Sequence, residues 1–276
     1  MASLSVNTNY GAAVALQQLS KTNADLAAAQ SRINTGLKVA GAKDNGAIFA
    51  IAQDLRAETS GVGVAKQSLD RAQSAADVAL AAGEAISDIL IELKEKALAA
   101  TDTTLSSEQL AAYNEDFVAL RDQIQTIVDN AEFNGANLID GSITSLNALA
   151  NGDGTAVLTV AAENFNLSGA VLTITSTQSF TSAAEAATAL GNVSQSLNLL
   201  NQALARLGTA AKAVEVHNTF LTKLGDQLEN GIGNLVDADL AKESANLQAL
   251  QTKQQLGVQA LSIANQAPAI VNQLFQ

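Results

Sequence analysis

Three groups of residues in this 276-residue chain carry chemistry by type: one histidine, a run of carboxylates and a set of spaced glycines. His217 is the only histidine and Cys is absent, so a metal cannot be held by several imidazoles or by thiolates. The neighbours Glu215 and Asn218 make no catalytic spacing with His217, which reads as a structural or surface residue of a helix. Asp237, Asp239 and Glu243 could bind calcium weakly. The twelve-residue alternation of oxygen ligands that a calcium loop needs is missing, however, and carboxylates there suit the first turn of a helix, next to its unpaired amides. Gly36, Gly41 and Gly46 resemble a phosphate loop only in composition, since that cradle lies between a strand and a helix and no strand precedes them. The Ser and Thr residues lack a Gly-x-Ser-x-Gly setting, and no carboxylate pair stands out for glycoside chemistry. Those between 142 and 182 read as polar loop filling, open to glycosylation where exposed. No catalytic residue, cofactor or metal site is assigned, and the expected protein is not an enzyme.

What remains must be built from helices. Hydrophobic residues make up 47% of the chain and aromatic residues only 3%, with no Trp and a single Pro, Pro268. Small side chains allow close helix contacts but fill a broad core poorly, which favours elongated helical packing. The lone proline leaves long helices unbroken. A formal charge of -12 speaks against a nucleic-acid partner. No run of eighteen apolar residues occurs, so no membrane insertion is expected. The opening Met-Ala-Ser-Leu-Ser-Val-Asn lacks the basic-then-apolar order of a cleavable secretory signal.

The two ends organise the rest. From about Ser3 to Ala40, with the helix proper from Tyr10 to Thr35, Leu19, Leu26 and Ile33 recur at sevens beside Ala12, Ala15, Thr22 and Ala29. From Leu240 to Gln276 the stripe is Leu240, Leu247 and Leu261, with Leu250, Ala264, Val271 and Leu274. A seven-residue repeat asks for a helical partner, and the sparse charge at both ends marks an interface. Between them, Gly36 to Gly46 reads as a structured loop. Ala47 to Ala100 reads as one long helix despite Gly61 and Gly63, spanning roughly 75 Å at 1.5 Å per residue. Ser106 and Gln109 form a capping box for the next helix, whose apolar face is Leu110, Tyr113, Phe117, Leu120, Ile124 and Ile127. Phe133-Asn134-Gly135 is a turn. Asn151 to Gly154 is a turn into a strand at Thr155 to Val160, and Val171 to Thr175 reads as a second strand in a weakly cored insertion. Helical periodicity resumes after Ser182, with Glu185 three residues on, and continues through Leu190, Val193, Leu197, Leu200, Leu204 and Leu207. Gly231 and Gly233 mark a potential irregularity before Asp237. The fold class is mainly α: an elongated helical rod with paired terminal helices forming an assembly coiled coil, and a small β-containing insertion. Proposed assembly contacts are Leu19, Leu26, Ile33, Leu247, Leu250 and Leu261. Proposed rod-core residues are Leu69, Leu80, Leu90, Phe117, Leu120, Leu197 and Leu204.

The chain closely resembles bacterial flagellin. The resemblance begins at Asn7, Thr8 and Asn9 and sharpens at Arg32-Ile33-Asn34-Thr35-Gly36-Leu37-Lys38-Val39, then Ala42-Lys43-Asp44-Asn45-Gly46-Ala47 and Ala50-Ile51-Ala52. Phe133-Asn134-Gly135-Ala136-Asn137-Leu138 matches the family turn. Asp237-Ala238-Asp239-Leu240-Ala241-Lys242-Glu243 and Ala264-Asn265-Gln266-Ala267-Pro268 match near the other end.

That resemblance implies a structural subunit that polymerises into the flagellar filament and transmits motor torque for swimming. It implies residues 1–40 and 237–276 as the two parts of a D0-like assembly domain, the first including the start of a connecting loop. Residues 41–139 and 182–236 are then the two parts of a D1-like rod, and 140–181 the insertion. Implied partners are other flagellin copies, the flagellar type III export apparatus, an export chaperone, the filament cap and hook–filament junction proteins. The implied location is secreted and extracellular, in the filament. Larger family members have extensive outer domains, for which 140–181 leaves no room. Many also carry Gln and Arg in the long helix where a vertebrate innate immune receptor binds. Ile91, Glu92, Leu93 and Lys94 stand there in this chain, so weak or absent activation is expected. The competing readings are a hook–filament junction protein and, in a different class, a displayed receptor-binding module. The short insertion without an aromatic patch weakens the second.

Overall fold

The structure is a computed structural model that describes residues 8–273, with the side chains of residues 8–266. The element order is α1 (Tyr10–Thr35), α2 (Gly46–Ala99), α3 (Ser107–Asn130), β1 (Glu132–Phe133), β2 (Ala136–Asn137), β3 (Ser145–Leu149), β4 (Val157–Ala161), α4 (Ala183–Val236) and α5 (Leu240–Gln273). The expected helical turn from Ser3, the motif residue Asn7 and the stripe position Leu274 lie outside the described residues, as do the side chains of Ala267, Pro268 and Val271. Two compact units divide the chain, one of residues 1–57 with 228–276 and one of residues 58–227. The division falls inside α2 and α4, which both run unbroken through their glycines, including Gly61, Gly63, Gly231 and Gly233.

In the second unit the core is a heptad seam of small residues. On α2, Val62, Ala65, Leu69, Ala72, Ala76, Ala79, Ile86, Leu90, Leu93 and Ala97 are buried, at alternating steps of three and four once Gly83 is counted. On α4 the buried set is Ala186, Ala189, Val193, Ser196, Leu200, Ala203, Leu207, Ala211, Val214 and Leu221. The helices run antiparallel, since Val62 lies against Gly225, Asp70 against Asn218, and Gly83 against Leu204. Alanine and glycine at these positions permit close approach of the two backbones, as in a tightly packed coiled coil. Ser196 is tolerated in the seam because its Oγ accepts from the Thr173 amide at 2.9 Å, satisfying a loop donor in return.

The helix starts follow from side-chain caps. Ser106 and Gln109 make the reciprocal capping box of α3. At α4, Ser182 Oγ accepts from the Glu185 amide, while Glu185 Oε2 accepts from the Thr181 amide at 2.7 Å and from its hydroxyl at 3.0 Å. Those two donors hold the Glu185 carboxyl below the usual carboxylate range.

The insertion differs from expectation in two respects. β4 pairs antiparallel with β3, Leu149 opposite Val157 and Ser145 opposite Ala161, across the turn at Asn151 to Gly154. The expected second strand at Val171 to Thr175 does not form; only Leu172 makes an isolated bridge, to Leu167. Its amides go elsewhere, Thr173 to Ser196 Oγ and Thr175 to Gln178 Oε1, so its apolar content reflects burial and not strand pairing. The core is also fuller than the Ser and Thr content implies. Phe165, Val171, Leu172, Ile174 and Phe180 are buried, and Phe180 meets Phe117 edge-on at 5.3 Å. Buried Arg121 donates to the Gln178 carbonyl at 2.6 Å and to Asp122, tying the segment to α3.

Candidate assembly interface

In the first unit, α1 and α5 pack antiparallel along two matching heptad stripes. On α1 the positions drawn in from solvent are Ala12, Ala15, Leu19, Thr22, Leu26, Ala29 and Ile33, with Arg32 beside the last. On α5 they are Glu243, Leu247, Leu250, Gln254, Gly257, Leu261 and Ala264. The strict three-four alternation keeps one face of each helix turned to the other over several turns. Gly257 makes room for Leu19, since a Cβ there would sit 3.2 Å from Leu19 Cδ1.

Polar groups fix the register. Asn9 caps α1 by accepting from the Ala12 amide at 3.0 Å, and its Nδ2 reaches across to the Ala264 carbonyl at 2.7 Å. Gln254 Nε2 donates to Asn23 Oδ1 at 2.7 Å, and Arg32 pairs with Glu243 at 3.3 Å. An asparagine or glutamine pair on a coiled-coil seam specifies alignment more than it adds stability.

Below the pair, Gly36 ends α1 with a φ of 72°, a left-handed cap natural to glycine. Its carbonyl accepts from the Ala238 amide at 2.8 Å, and Lys38 N–H donates to the Val236 carbonyl at 2.7 Å. Val39, Ala52 and Val236 close a small cluster with Leu37, Ile48, Phe49, Ile232 and Leu235 around them. Asp44 Oδ2 accepts from the amides of Ala40 and Gly41, both at 3.0 Å, and Asn45 caps α2 through Ile48.

Three of the chemistry-bearing residues considered from the sequence, Asp239, Glu243 and His217, have structural partners. Asp239 accepts from the Lys242 amide at 3.1 Å at the start of α5, and Glu243 is the partner of Arg32. Half-buried His217 contacts the Ala150 carbonyl through Nε2 at 2.6 Å, at the tip of the β3–β4 hairpin. Leu250 is buried, at 7% exposure, while Leu19, Leu26, Ile33, Leu247 and Leu261 are half-buried. In the second unit Leu69, Leu90 and Phe117 are fully buried, and Leu80, Leu120, Leu197 and Leu204 are half-buried beside the seam.

The heptad stripe therefore has its partner within the same chain. What it leaves outside is a set of large apolar side chains off the seam. On α1 these are Tyr10, Val14 and Leu16, at 83%, 39% and 58% exposure; on α5 they include Leu256, Val258 and Ile263, at 58%, 53% and 70%. Sequence reading missed them because they do not share the period of the seam, although their scarcity of neighbouring charge was a usable signal.

A mainly α chain whose first and last helices pair, and whose paired helices still expose apolar side chains, has the build of a self-assembling structural subunit. Residues 6–144 match the bacterial flagellin N-terminal helical region and residues 190–275 the bacterial flagellin C-terminal helical region. Among curated proteins, flagellins FljM and FljK of Caulobacter vibrioides are each 53% identical over 276 residues, covering 100% of both chains. A flagellin of Brucella melitensis is 36% identical over 99% of each. The chain belongs to the bacterial flagellins, and it is a structural subunit of the helical flagellar filament that serves motility.

Proposed function

We propose that two distinct sets of apolar residues on α1 and α5 build the filament. The seam holds the two helices together within each copy, and the off-seam residues Tyr10, Val14, Leu16, Leu256, Val258 and Ile263 are covered by neighbouring copies. The observation that carries this reading is that the seam is already satisfied internally while Ile263 remains 70% and Leu256 58% exposed. Exposed apolar side chains on both helices of one pair call for further helices. A heterologous contact of this kind, repeated along a screw axis, gives an open polymer.

Within this scheme Leu19, Leu26, Ile33, Leu247 and Leu261 contribute to assembly with their outer edges, and Leu250 contributes by holding the pair. Leu69, Leu80, Leu90, Phe117, Leu120, Leu197 and Leu204 stabilise the D1-like helices, and residues 1–40 with 237–276 form the D0-like part. Family membership supports a delivery route in which the flagellar type III apparatus exports the subunit, served by a chaperone, and a filament cap inserts it beyond junction proteins, outside the cell. The family is structural, and nothing in the assembly scheme calls for a reaction.

Seeded polymerisation of purified protein tests the scheme. Leu256→Asp and Ile263→Asp place a carboxylate where a neighbour must cover it. At roughly 3 kcal/mol per desolvated, unpaired charge, the critical concentration rises about a hundredfold. Helix content of the monomer stays unchanged. Leu26→Asp and Leu261→Asp impair both polymerisation and the helical signal, because they also open the seam, while secretion of all four variants is less affected. Normal filament growth from both off-seam variants would contradict the assignment.

A further inference from the structure

We propose that Asn134, at the tip of the β1–β2 hairpin, is a site of spontaneous covalent modification, converting to aspartate and isoaspartate while the protein is folded. The chain contains four Asn-Gly pairs, Asn45-Gly46, Asn134-Gly135, Asn151-Gly152 and Asn230-Gly231. In each, the glycine nitrogen is unhindered by a Cβ and can reach the preceding side chain. The fold treats them differently.

Asn45 is held as a helix cap, its Oδ1 accepting from the Ile48 amide at 3.1 Å. Asn151 is held at both ends, its Nδ2 donating to Thr155 Oγ1 at 2.7 Å and its Oδ1 accepting from the Ala156 amide at 3.1 Å. Asn230 and Gly231 lie inside α4, where the glycine amide is engaged in the helix ladder. Among the described residues, neither the exposed Asn134 side chain nor the Gly135 amide has a hydrogen-bond partner. Asn134 and Gly135 have φ values of 50° and 80°, the left-handed pair of a two-residue hairpin turn. The strands that this turn joins have two residues each, so little pairing opposes local opening.

The reaction requires only water. The Gly135 backbone nitrogen gives up its proton and attacks Asn134 Cγ. A C–N bond forms, the Cγ–Nδ2 bond breaks, and ammonia leaves with the proton, closing a five-membered succinimide. Water then adds to either ring carbonyl and opens the ring, leaving aspartate or isoaspartate; nothing is oxidised or reduced. Isoaspartate lengthens the main chain at a two-residue turn, which spoils the pairing of Glu132 with Asn137. Buried Asn137 otherwise ties the hairpin to the end of α3, its Nδ2 donating to the Val128 carbonyl at 2.7 Å and its Oδ1 accepting from the Ile139 amide at 2.9 Å.

The test is incubation of the full-length purified monomer at mildly alkaline pH, followed by peptide mapping with fragmentation that separates aspartate from isoaspartate. A parallel sample is kept in denaturant. With two hydrogen bonds to break at Asn151, one at Asn45 and none at Asn134, Asn134 should convert about thirtyfold faster than Asn151 and about fivefold faster than Asn45. In denaturant the four sites should converge. Conversion at Asn134 no faster than at Asn151 in the folded chain overturns the proposal. So does an unchanged ratio in denaturant, which would assign the preference to local sequence instead of the fold.

Discussion

Gly61 and Gly63 sit two residues apart on the same helix and should respond to alanine with opposite sign. Alanine at either position gains roughly 1 kcal/mol of helix propensity. At Gly63 nothing lies within 4 Å of an added Cβ, so the gain is realised. At Gly61 the added Cβ would fall 2.3 Å from the Gly152 carbonyl oxygen and 2.9 Å from its Cα. Ordinary contact begins at 3.4 Å, so the backbones must part by about 1.1 Å, the difference between 3.4 and 2.3. No rotamer change can relieve a clash with main-chain atoms, and the hairpin tip has to lift.

Lifting the tip strains the two bonds that seat it on the helices, Leu149 N–H to Ser68 Oγ at 3.1 Å and His217 Nε2 to the Ala150 carbonyl at 2.6 Å. At about 1 kcal/mol net for each bond, plus lost packing at Gly152, the loss is roughly 2 to 3 kcal/mol. Subtracting the propensity gain leaves Gly61→Ala destabilised by about 1 to 2 kcal/mol. Thermal unfolding of the monomer followed by circular dichroism should show Gly63→Ala raised by about 2 to 4 °C and Gly61→Ala lowered by a comparable amount. The reasoning fails if both variants melt higher than the parent, because the hairpin tip would then not be seated against α2.

Two further outcomes follow from particular side chains. Because its folded-state pKa is depressed by the Thr181 amide and hydroxyl, the Glu185 carboxylate contributes stability that is fully present above the unfolded pKa. That contribution is lost as pH falls through the folded value. The stability difference between the parent and Glu185→Gln should therefore be present at neutral pH and shrink in urea titrations as pH falls below the ordinary carboxylate range; a difference of unchanged size across that range would exclude the Thr181–Glu185 contact as its source. Purified monomer should activate the vertebrate innate receptor weakly or not at all, since exposed Glu92 stands where many flagellins carry Arg and Leu93 is turned into the core. Strong activation in a reporter-cell assay would refute this.

Much of the architecture was legible because local chemistry and tertiary structure agree on it. Ser106 with Gln109, and Ser182 with Glu185, mark helix starts by a mechanism that needs nothing beyond the helix itself. The α1 stripe was legible for the same reason, as Leu19, Leu26 and Ile33 keep a strict period, and so were Leu247, Leu250, Leu261 and Ala264 on α5, whereas Leu240, read on that stripe, is 50% exposed and the seam begins at Glu243. Which helix would cover them was not legible, because a heptad records that a face is buried without recording whose side chains bury it. In the long helices, reading by the largest residues drew attention to Leu80, Leu197 and Leu204, whereas Ala79, Ser196 and Ala203 occupy the centre of the seam. Val171 to Thr175 misled in a related way. Alternating β-branched residues suit a strand, but here Val171, Leu172 and Ile174 are buried while the Thr173 amide between them goes to Ser196 Oγ on α4 and the Val171 amide to the Asn164 carbonyl.

The same comparison explains why assembly and order in the first unit belong together. In the second unit, aromatic and branched side chains such as Phe117, Phe165, Phe180, Ile86 and Leu200 are fully buried, so its folding is supported by its own core. Among the described residues of the first unit, only Ala29, Val39, Ala52, Val236 and Leu250 are buried apolar side chains. Two of these five are alanines, and complete burial of a larger aliphatic side chain contributes only about 1.5 to 3 kcal/mol. That is little against the entropy of ordering two long helices, at about 1 to 2 kcal/mol for each residue's backbone. In the proposed scheme the missing apolar burial comes from the off-seam faces, where other copies cover Leu16, Leu256 and Ile263. Binding that favours the ordered state stabilises it by mass action, so in the proposed scheme neighbouring copies add to the stability that the seam already gives the helix pair.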